Sequence, residues 1–587
     1  MKRQFLGMRS NRWIALTLFM CLVLFFMGCG TDDHSALENY TLRIAHFNDS
    51  HSHIEAGSQT IYIDGVKTTV DIGGYARLVT KAKEMRAESA NFLMLNAGDV
   101  FQGTLYYTQY KGLADLELLE MMRVDAMVPG NHEFDNGNLV LADYLKKATF
   151  SIVSSNIDYS NAPELAPYVV PYIIKNINGV DVGIFGLTLE DTPTISSPGD
   201  DLVFENEIEI AKQMVKTLSD QGIEIIVALT HMGYDMDIKL AESVNDIDIV
   251  VGGHSHTLLG DFSEIEVDSE GNYPTIVKNP QGKTVVVTQA WNHALAMGDI
   301  SVTFDTFGYV KSYAGYDVML LGDNFTQDGK PVDDATRKTI MNVVDSMPAL
   351  QIVTPDPTAE ARIKELSAPI DELKKTVVGS ALTDLWHTRV PGSTHPTAGV
   401  LPNGSLIAPH VCDAMLWKAN EIGMGVDIAL QNAGGVRIDI PKGDITVSEV
   451  YTLMPFGNTL TVIELTGDKI KKAIADGAYR AASGAGSGAF PYVAGMRYTY
   501  NYNGGVNSEL VSAEVFKEGA WTPILDGMVY KLTTNSFTAS GGDNYTALLD
   551  NISSYDTGFI DAEVFQSYLE HVKVLDAPTT FNVTYLP

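Results

Sequence analysis

The feature that most constrains the fold of this chain is a series of short apolar runs, each ending in a cluster of polar residues. Between Tyr40 and about Val318, the runs alternate with stretches of helical periodicity such as residues 76–87 and 210–219. This alternation predicts an α/β body with a largely buried sheet, closed by a further β segment at residues 300–304. The predicted strands are residues 42–47, 91–95, 125–128, 223–229, 247–251 and 284–288.

The polar clusters follow five of these runs in succession. They read NDSH, NAGD, GNHEFD, THMG and GGHSH. Sheets of this kind place their chemistry at the carboxyl ends of strands. Five polar ends in a row are too regular for scattered loops, so we expect them to meet at one edge of the sheet. The donor side chains that would meet there are Asp49, His51, Asp99, Asn131, His231, His254 and His256.

These seven side chains form a mixed set of imidazole, carboxylate and amide donors. Such a set favours Zn, Mn, Fe or Co over calcium. Asp99 can bridge two ions, and two ions about 3.5–4 Å apart can activate a water and steady the attacking and leaving oxygens. Any one of these residues alone could be an ordinary loop residue. The seven donors together, however, indicate a site for two divalent ions. We expect the remaining histidines to be surface or core residues: His34, His46, His53, His293, His387, His395, His410 and His571.

Length and charge further restrict the number of domains and the class of partner. At 587 residues the chain is too long for one core, and its 45% hydrophobic and 19% charged residues are typical of globular domains. Its net charge of -33 excludes a nucleic-acid polymer as a partner, because phosphate backbones require a basic surface. A small anionic substrate held by metal ions or arginine remains compatible with this charge.

The first residues are typical of a targeting segment. Basic residues within the first twelve positions precede an apolar run at residues 13–27, followed by Phe-Met-Gly-Cys29, which resembles a bacterial lipobox. We therefore predict a signal peptide at residues 1–28, lipidation of Cys29 and a tether at residues 29–39. The protein would then lie outside the cytoplasm, in the periplasm or at the cell surface, anchored by its lipid. An uncleaved anchor helix is the alternative.

Cysteine usage agrees with a fold that does not depend on disulfides. If Cys21 leaves with the signal peptide and Cys29 is acylated, Cys412 is the remaining cysteine. An internal disulfide is then impossible even in an oxidising compartment. The cores, and metal ions if bound, must stabilise the mature protein.

The later part of the chain changes its pattern twice. Residues 333–376 have helical periodicity with a break or kink expected near Pro369, which predicts a helical linker. From about Val377 the alternation of apolar runs starts again. The Ser/Gly/Ala tract at residues 481–489 predicts a flexible surface loop.

Several motifs together resemble the 5′-nucleotidase/UDP-sugar hydrolase family. HFNDSHSH, NAGDVFQGT, PGNHEFDNG, LTHMG and GGHSHT are similar, in that order, to its metallophosphatase domain, and NAGGVR, MPFGNTL and SFTASGGDNY to its substrate-binding domain. The resemblance spans about residues 40–575. It implies a calcineurin-like metallophosphatase β-sandwich flanked by helices at residues 40–332, the helical linker at 333–376, and a C-terminal α/β domain at 377–587.

The resemblance also implies roles for residues at the polar clusters. One ion would be held by Asp49, His51, Asp99 and His256, and the other by Asp99, Asn131, His231 and His254. His132 and Asp135 resemble the catalytic dyad of the family. Asp135 would orient His132 and favour its protonated form, which can stabilise charge on the phosphoryl oxygens.

In the C-terminal domain the resemblance implies a nucleotide pocket. Phe456 and Phe537 match the two rings between which the family stacks a base, although either ring alone would be more typical of a core. Asp543 matches a carboxylate that binds ribose hydroxyls. Asn432, Arg437 and Asn458 match polar substrate contacts.

One stretch departs from the family. The region before Cys412 lacks both the usual E-x-N-x-G pattern and its arginine, although Arg389 lies a few residues upstream. The resemblance predicts a two-metal phosphohydrolase acting on nucleoside 5′-monophosphates, with UDP-sugars, nucleoside di- and triphosphates and 2′,3′-cyclic nucleotides as further candidates. The alternatives are a thiosulfohydrolase on the same scaffold, which the missing arginine favours, and a non-catalytic nucleoside-binding lipoprotein.

Overall fold

A computed structural model describes Leu37 and residues 39–196, 198–503 and 508–586. The predicted signal peptide, Cys29 and His34 lie outside the described residues, so the predictions about them stay predictions. Within the described part of the chain, no helix is long and apolar enough to cross a membrane.

The N-terminal half is built on a large mixed sheet. Its strands are β1 (Thr41–Phe47), β2 (Gly57–Ile63), β3 (Val66–Ile72), β4 (Phe92–Asn96), β5 (Ala126–Met127), β6 (Ser151–Val153), β8 (Val169–Val170), β16 (Ala296–Phe304), β17 (Val310–Gln327), β18 (Lys330–Pro331) and β19 (Leu350–Ile352). Their spatial order is β2-β3-β17-β16-β1-β4-β5-β6-β8, with β18 and β19 paired to β17. The pairs β1–β4, β4–β5 and β5–β6 are parallel, so their carboxyl ends share one edge.

A second sheet packs against the first. Its strands are β9 (Tyr172–Ile177), β10 (Val180–Thr188), β12 (Ile225–His231), β13 (Ile249–Val251), β14 (Thr275–Lys278) and β15 (Thr284–Thr288), while β7 (Ile157–Asp158) and β11 (Val203–Phe204) form a separate pair. Ile44 and Leu95 of the first sheet share one buried cluster with Val227 and Ile249 of the second. This continuous apolar layer confirms the predicted β-sandwich.

Helices cover the outer faces of both sheets. They are α1 (Tyr75–Glu88), α2 (Leu105–Tyr110), α3 (Leu113–Met122), α4 (Asn138–Leu145), α5 (Thr192–Ile195), α6 (Glu207–Ser219) and α7 (Tyr234–Ser243). The predicted helices at residues 76–87 and 210–219 correspond to α1 and α6. Asn206 accepts a hydrogen bond from the Glu209 amide and so caps the start of α6.

The predicted linker contains two helices and the strand β19. Helix α8 (Asp334–Ser346) buries Ile340 and Val344 against the first sheet, which β19 joins by pairing with β17. Helix α9 (Pro357–Leu373) begins after Asp356, whose carboxylate caps it, and runs on through Pro369. The chain then enters the C-terminal half.

The C-terminal half is a mixed α/β body. Its strands are β20 (Val377–Ala381), β21 (Thr394–His395), β22 (Gly399–Val400), β23 (Ile428–Asn432), β24 (Gly443–Thr446), β25 (Thr459–Thr466), β26 (Pro491–Ala494), β27 (Met496–Asn501), β28 (Glu509–Lys517), β29 (Ala520–Pro523), β30 (Val529–Asn535), β31 (Ser553–Ile560), β32 (Val574–Leu575) and β33 (Val583–Leu586). Its helices are α10 (Ala408–Glu421), α11 (Val447–Leu453), α12 (Gly467–Ala482), α13 (Ser536–Ala539) and α14 (Asp561–Val572).

The central sheet of this half has the order β26-β23-β30-β25-β31.

The two halves of the chain touch directly. Thr108 of α2 donates a hydrogen bond to Glu563 of α14 over 3.0 Å, and one apolar cluster runs from Tyr107 through Leu366 to Val450. The C-terminal half is therefore packed against the helical side of the first sheet.

Candidate active site

The five polar clusters meet at one edge of the sandwich, as the order of the parallel strands predicts. Donor atoms of Asp49, His51 and His256 lie within 4.8 Å of one another, and so do those of Asp99, His231 and His254. We call these six residues, together with Asn131, the donor rim.

The hydrogen bonds of two rim histidines leave one nitrogen of each ring available to a ligand. His231 donates from Nδ1 to the carbonyl oxygen of Ala97 over 2.6 Å, and His51 from Nδ1 to that of Phe101 over 3.0 Å. Because a carbonyl oxygen only accepts, Nε2 of each neutral ring carries the lone pair. The buried Nε2 of His231 faces Asp99 Oδ2 at 2.9 Å. Such an arrangement fits histidine as a metal ligand.

Other contacts within the rim also fit shared ions. His51 Nε2 lies 3.1 Å from His256 Nε2, and Asn131 Oδ1 lies 2.9 Å from His254 Nδ1. The amide Nδ2 of Asn131 is buried without a partner. The structure thus brings all seven predicted ligands together, in a chemical mixture that suits divalent transition metals.

Asp99 lies between the two groups of donors. Its Oδ2 is 2.9 Å from His231 Nε2, 3.9 Å from His51 Nε2 and 3.8 Å from His132 Nε2. Burial alone would raise the pKa of Asp99, but the neighbouring His231 and His132 rings hold it well below its usual range. An ionised carboxylate in this position fits the predicted bridging ligand.

The backbone of the rim is held in conformations that most residues avoid. Several ligands have positive φ angles, which cost energy in residues other than glycine and persist where the surroundings impose them. These ligands are Asp49 (φ 49°), His51 (φ 45°), Asp99 (φ 54°), His254 (φ 80°) and His256 (φ 55°). The fold therefore fixes the ligand positions before any ion binds.

The predicted dyad is present beside the rim. His132 Nδ1 lies 2.6 Å from Asp135 Oδ2. Burial alone would lower the pKa of His132, but the charges of Asp135 and Asp99 outweigh it and raise the pKa to about 10. His132 is therefore protonated at neutral pH in this environment, and its Nε2 can donate to an anionic group.

Two further side chains hold Asp135. Gln102 Nε2 donates to Asp135 Oδ2 over 2.9 Å, and Ser196 Oγ donates to Oδ1 over 2.6 Å. Neither residue was among the predicted site residues. Gln102 lies inside the NAGDVFQGT motif, which could have indicated it, whereas nothing in the sequence around Ser196 connects it to the dyad.

The C-terminal half reaches the dyad through Gly558 of β31. A Cβ atom placed at Gly558 would lie 1.3 Å from His132 Cε1, so a side chain cannot fit there. The φ angle of 66° at this position also favours glycine. The predicted dyad is thus enclosed by both halves of the chain.

Two histidines expected to be ordinary lie next to the rim. The rings of His53 and His293 stack with centroids 3.8 Å apart, and the His293 ring is 5.9 Å from those of His51 and His256. His46 is fully buried in the sandwich, as a core histidine would be. His53 and His293 therefore belong to the surroundings of the site.

A cavity of about 630 Å³ in the C-terminal half collects the predicted substrate residues. We call it the C-terminal pocket. Phe456 and Phe537 are 53% and 45% exposed, which is unusual for core rings and fits an open slot. The predicted residues that line it are Asn432, Arg437, Phe456, Asn458, Phe537 and Asp543.

Hydrogen bonds fix the polar side of this pocket. Asn432 Nδ2 donates to Asp543 Oδ2 over 2.8 Å, and Asn535 Nδ2 donates to Asn432 Oδ1 over 2.9 Å. The Arg437 guanidinium lies 5.4 Å from the centre of the Phe456 ring. The pocket therefore combines an aromatic surface, a carboxylate and a cation.

Two further parts of the lining come from elsewhere in the sequence. Arg389, noted above as lying upstream of the stretch that departs from the family, lines the pocket, and its Nη1 lies 3.3 Å from Ser487 Oγ. Residues Gly486, Ser487 and Gly488 also line it, so the tract expected to be a flexible surface loop forms a pocket wall. The compact glycines allow this close approach.

Comparisons with known proteins agree with this architecture. A family model described as calcineurin-like phosphoesterase matches residues 42–258, and one described as 5′-nucleotidase, C-terminal domain, matches residues 392–550. The probable 5′-nucleotidase of Treponema pallidum is 34% identical over 96% of this chain and 98% of its own length. The NAD 5′-nucleotidase of Haemophilus influenzae is 34% identical over 94% and 93%.

A solved structure is similar over almost the whole chain. The NAD nucleotidase of Haemophilus influenzae superposes with a TM-score of 0.80 and 32% identity, covering 94% of this chain and 99% of that one. Both halves therefore have counterparts in a single relative. This chain belongs to the 5′-nucleotidase family, with a calcineurin-like phosphoesterase domain and a 5′-nucleotidase C-terminal domain, and it is a hydrolase of phosphoric ester bonds.

Proposed function

We propose that this enzyme releases phosphate from nucleoside 5′-monophosphates by means of two divalent ions held at the donor rim. The observation that carries this proposal is the C-terminal pocket. Phe456 and Phe537 line one cavity with Asp543, and aromatic rings beside a carboxylate suit a base joined to a ribose.

The proposed roles at the rim are those that the resemblance implies, and its geometry is compatible with them. Asp99 lies in one group of donors and 3.9 Å from His51 of the other, so it would serve both ions, with Asp49, His51 and His256 on one side and Asn131, His231 and His254 on the other. Zn, Mn, Fe or Co suits these donors. Bound ions would supply the attacking nucleophile and neutralise charge on the attacking and leaving oxygens.

The chain's own side chains then handle the phosphoryl group. Asp135 holds Nδ1 of His132, and Gln102 and Ser196 hold Asp135, so the imidazolium has a fixed orientation. Its Nε2 donates to a phosphoryl oxygen as negative charge develops there. Because these groups are buried, the interaction is stronger than it would be in water.

Arg389 supports a nucleotide over a sulfur substrate. The absence of an arginine before Cys412 favoured a thiosulfohydrolase, but Arg389 supplies a guanidinium to the same pocket as Arg437. UDP-sugars, nucleoside di- and triphosphates and 2′,3′-cyclic nucleotides remain further candidate substrates. NAD joins them because one relative is named NAD 5′-nucleotidase.

A substrate panel tests this function. Purified protein is assayed for phosphate release from AMP, ADP, ATP and p-nitrophenyl phosphate, and by chromatography of the products for hydrolysis of UDP-glucose, 2′,3′-cyclic AMP and NAD, with added Mn²⁺ or Zn²⁺ and with a chelator. We expect AMP hydrolysis that the chelator abolishes. Hydrolysis of p-nitrophenyl phosphate with no nucleotide accepted would overturn the nucleotide assignment, and AMP binding without turnover would favour the nucleoside-binding lipoprotein.

The predicted anchor has its own test. We propose that the mature protein lies outside the cytoplasm, joined to a membrane by a lipid on Cys29. Labelled palmitate should enter the wild type but not Cys29→Ala, and the variant should leave the membrane fraction. A variant that stays in the membrane fraction would favour the uncleaved anchor helix.

A further inference from the structure

Glu133 lies between a rim ligand and the dyad, and no role has so far been assigned to it. The residue is 1% exposed. Its Oε2 accepts hydrogen bonds from the amides of Asp99 (3.0 Å) and Gly130 (2.6 Å). Its Oε1 accepts from the amides of Val100 (2.8 Å) and Phe101 (3.1 Å). One buried carboxylate thus collects four main-chain donors.

These donors come from two different loops of the rim. Three belong to the loop after β4, which carries Asp99, and one belongs to the loop after β5, which carries Asn131. The link is reciprocal, because Asp99 Oδ1 accepts the amide N–H of His132 over 3.0 Å. The loop after β4 therefore donates three main-chain amides to the Glu133 carboxylate, and the loop after β5 donates one to the Asp99 carboxylate.

These reciprocal hydrogen bonds hold the two loops close together. A Cβ atom at Gly130 would lie 2.1 Å from Asp99 Oδ1, so the loop after β5 runs directly against the Asp99 carboxylate. A glutamine in place of Glu133 could not accept all four bonds, because its NH₂ group would face two N–H donors. The arrangement requires a carboxylate with both oxygens free to accept.

We propose that Glu133 is a positioning residue of the metal centre, which sets the separation of the Asp99 and Asn131 loops before ions bind. Asp99 belongs to one group of donors and Asn131 lies against His254 of that group, so both depend on this separation. Without Glu133, part of the binding free energy of the ions must order the loops. The inference rests on the proposed metal centre and is independent of nucleotide specificity.

The test uses Glu133→Gln with Glu207→Gln as its matched control. Glu207 is also buried, at 2% exposed, and accepts the Glu190 amide over 2.6 Å, a hydrogen bond that involves neither the loop after β4 nor the loop after β5. Calorimetric titration of chelator-stripped protein with Mn²⁺ measures affinity. Loss of a group that orients ligands typically weakens metal binding by about 10–100-fold. We expect such a loss in Glu133→Gln and none in the control.

Two further readouts separate positioning from a general loss of stability. In the metal-free protein, hydrogen exchange should accelerate at the amides of Asp99, Val100, Phe101 and Gly130 in Glu133→Gln, with no acceleration there in Glu207→Gln. Activity lost at low Mn²⁺ should return at saturating Mn²⁺, because the ions can still order the loops.

Several outcomes would overturn the inference. These are unchanged Mn²⁺ affinity in Glu133→Gln, an equal loss in the control, or faster exchange without weaker binding. If Glu133→Gln does not fold, hydrogen exchange of the metal-free wild type provides the test. Rapid exchange at these four amides would then also overturn the inference. A wild type that binds no Mn²⁺ or Zn²⁺ would instead remove the proposed metal centre itself.

Discussion

The donor rim and the C-terminal pocket lie in different halves of the chain and differ in how far solvent reaches them. Asp99 at the rim is 1% exposed and its amide donates to the buried Glu133 carboxylate, whereas Phe456 in the pocket is 53% exposed. In the proposed function, the rim binds the group common to all phosphate esters, and the pocket binds the part that varies. Changes at the rim should therefore affect every substrate, and changes in the pocket should affect nucleotides alone.

The largest effect is expected at the residue shared by both ions. Asp99→Ala removes a carboxylate that belongs to one group of donors and lies 3.9 Å from His51 Nε2 of the other group, so metal binding and hydrolysis of AMP and of p-nitrophenyl phosphate should all be lost. Elemental analysis and phosphate release measure this. Asp143→Ala, which removes an exposed carboxylate paired with Lys147, should retain both activities and serves as the control. Two tightly bound ions per chain in Asp99→Ala would show that the ligand assignment is wrong.

His132→Ala should separate chemistry from metal binding within the rim. The ring touches Asp135 and lies near Asp99, but it is not part of either group of donors. We expect both ions to remain while kcat falls by about 10²–10⁴-fold on both substrates, as for loss of one positioned proton donor. Metal loss as severe as that in Asn131→Ala would show that the two roles have been divided wrongly.

Some residues of the candidate site could be located from the sequence, and others could not. The predicted rim ligands directly follow buried strands, so the apolar runs and their polar ends were enough to place them at one edge of a sheet, whereas the β-sandwich was implied by the resemblance to the family. Ser196, however, contacts Asp135 although the two residues are 61 positions apart in the sequence, and the sequence around Ser196 has no apolar periodicity. Gly558 and Arg389 likewise take their positions from tertiary packing. Local pattern cannot predict contacts that arise only when separate elements meet.

The aromatic rings of the pocket should show the opposite selectivity. Removing Phe456 or Phe537 takes away base stacking worth on the order of 1–3 kcal/mol, which corresponds to about 5–150-fold in binding. Because the base is remote from the bond that breaks, KM for AMP should rise more than kcat falls. Kinetics of Phe456→Ala and Phe537→Ala on AMP and on p-nitrophenyl phosphate measure both effects.

A third phenylalanine provides the control for these variants. Phe516 is 50% exposed in the same half of the chain, but it packs against Trp521 and does not line the pocket. Phe516→Ala should leave KM for AMP unchanged. Equal losses on AMP and on the small ester in the pocket variants would mean that the rings support the fold and do not hold a base.

The smallest effect is expected at Arg389, and it tests whether this residue compensates for the arginine absent before Cys412. Its guanidinium is held near Ser487 at the pocket wall, where it can pair with a substrate phosphate or ribose oxygen. The pocket is open to solvent, which screens the interaction, so Arg389→Ala should raise KM for AMP by about tenfold or less. Arg389→Lys should recover only part of this loss, because an ammonium lacks the planar fork of the guanidinium. Arg497→Ala removes an exposed arginine paired with Glu514 away from the pocket and should leave KM unchanged. If Arg389→Ala instead binds AMP as tightly as the wild type, Arg437 alone supplies the cation, and the departure from the family sequence has no functional replacement in this chain.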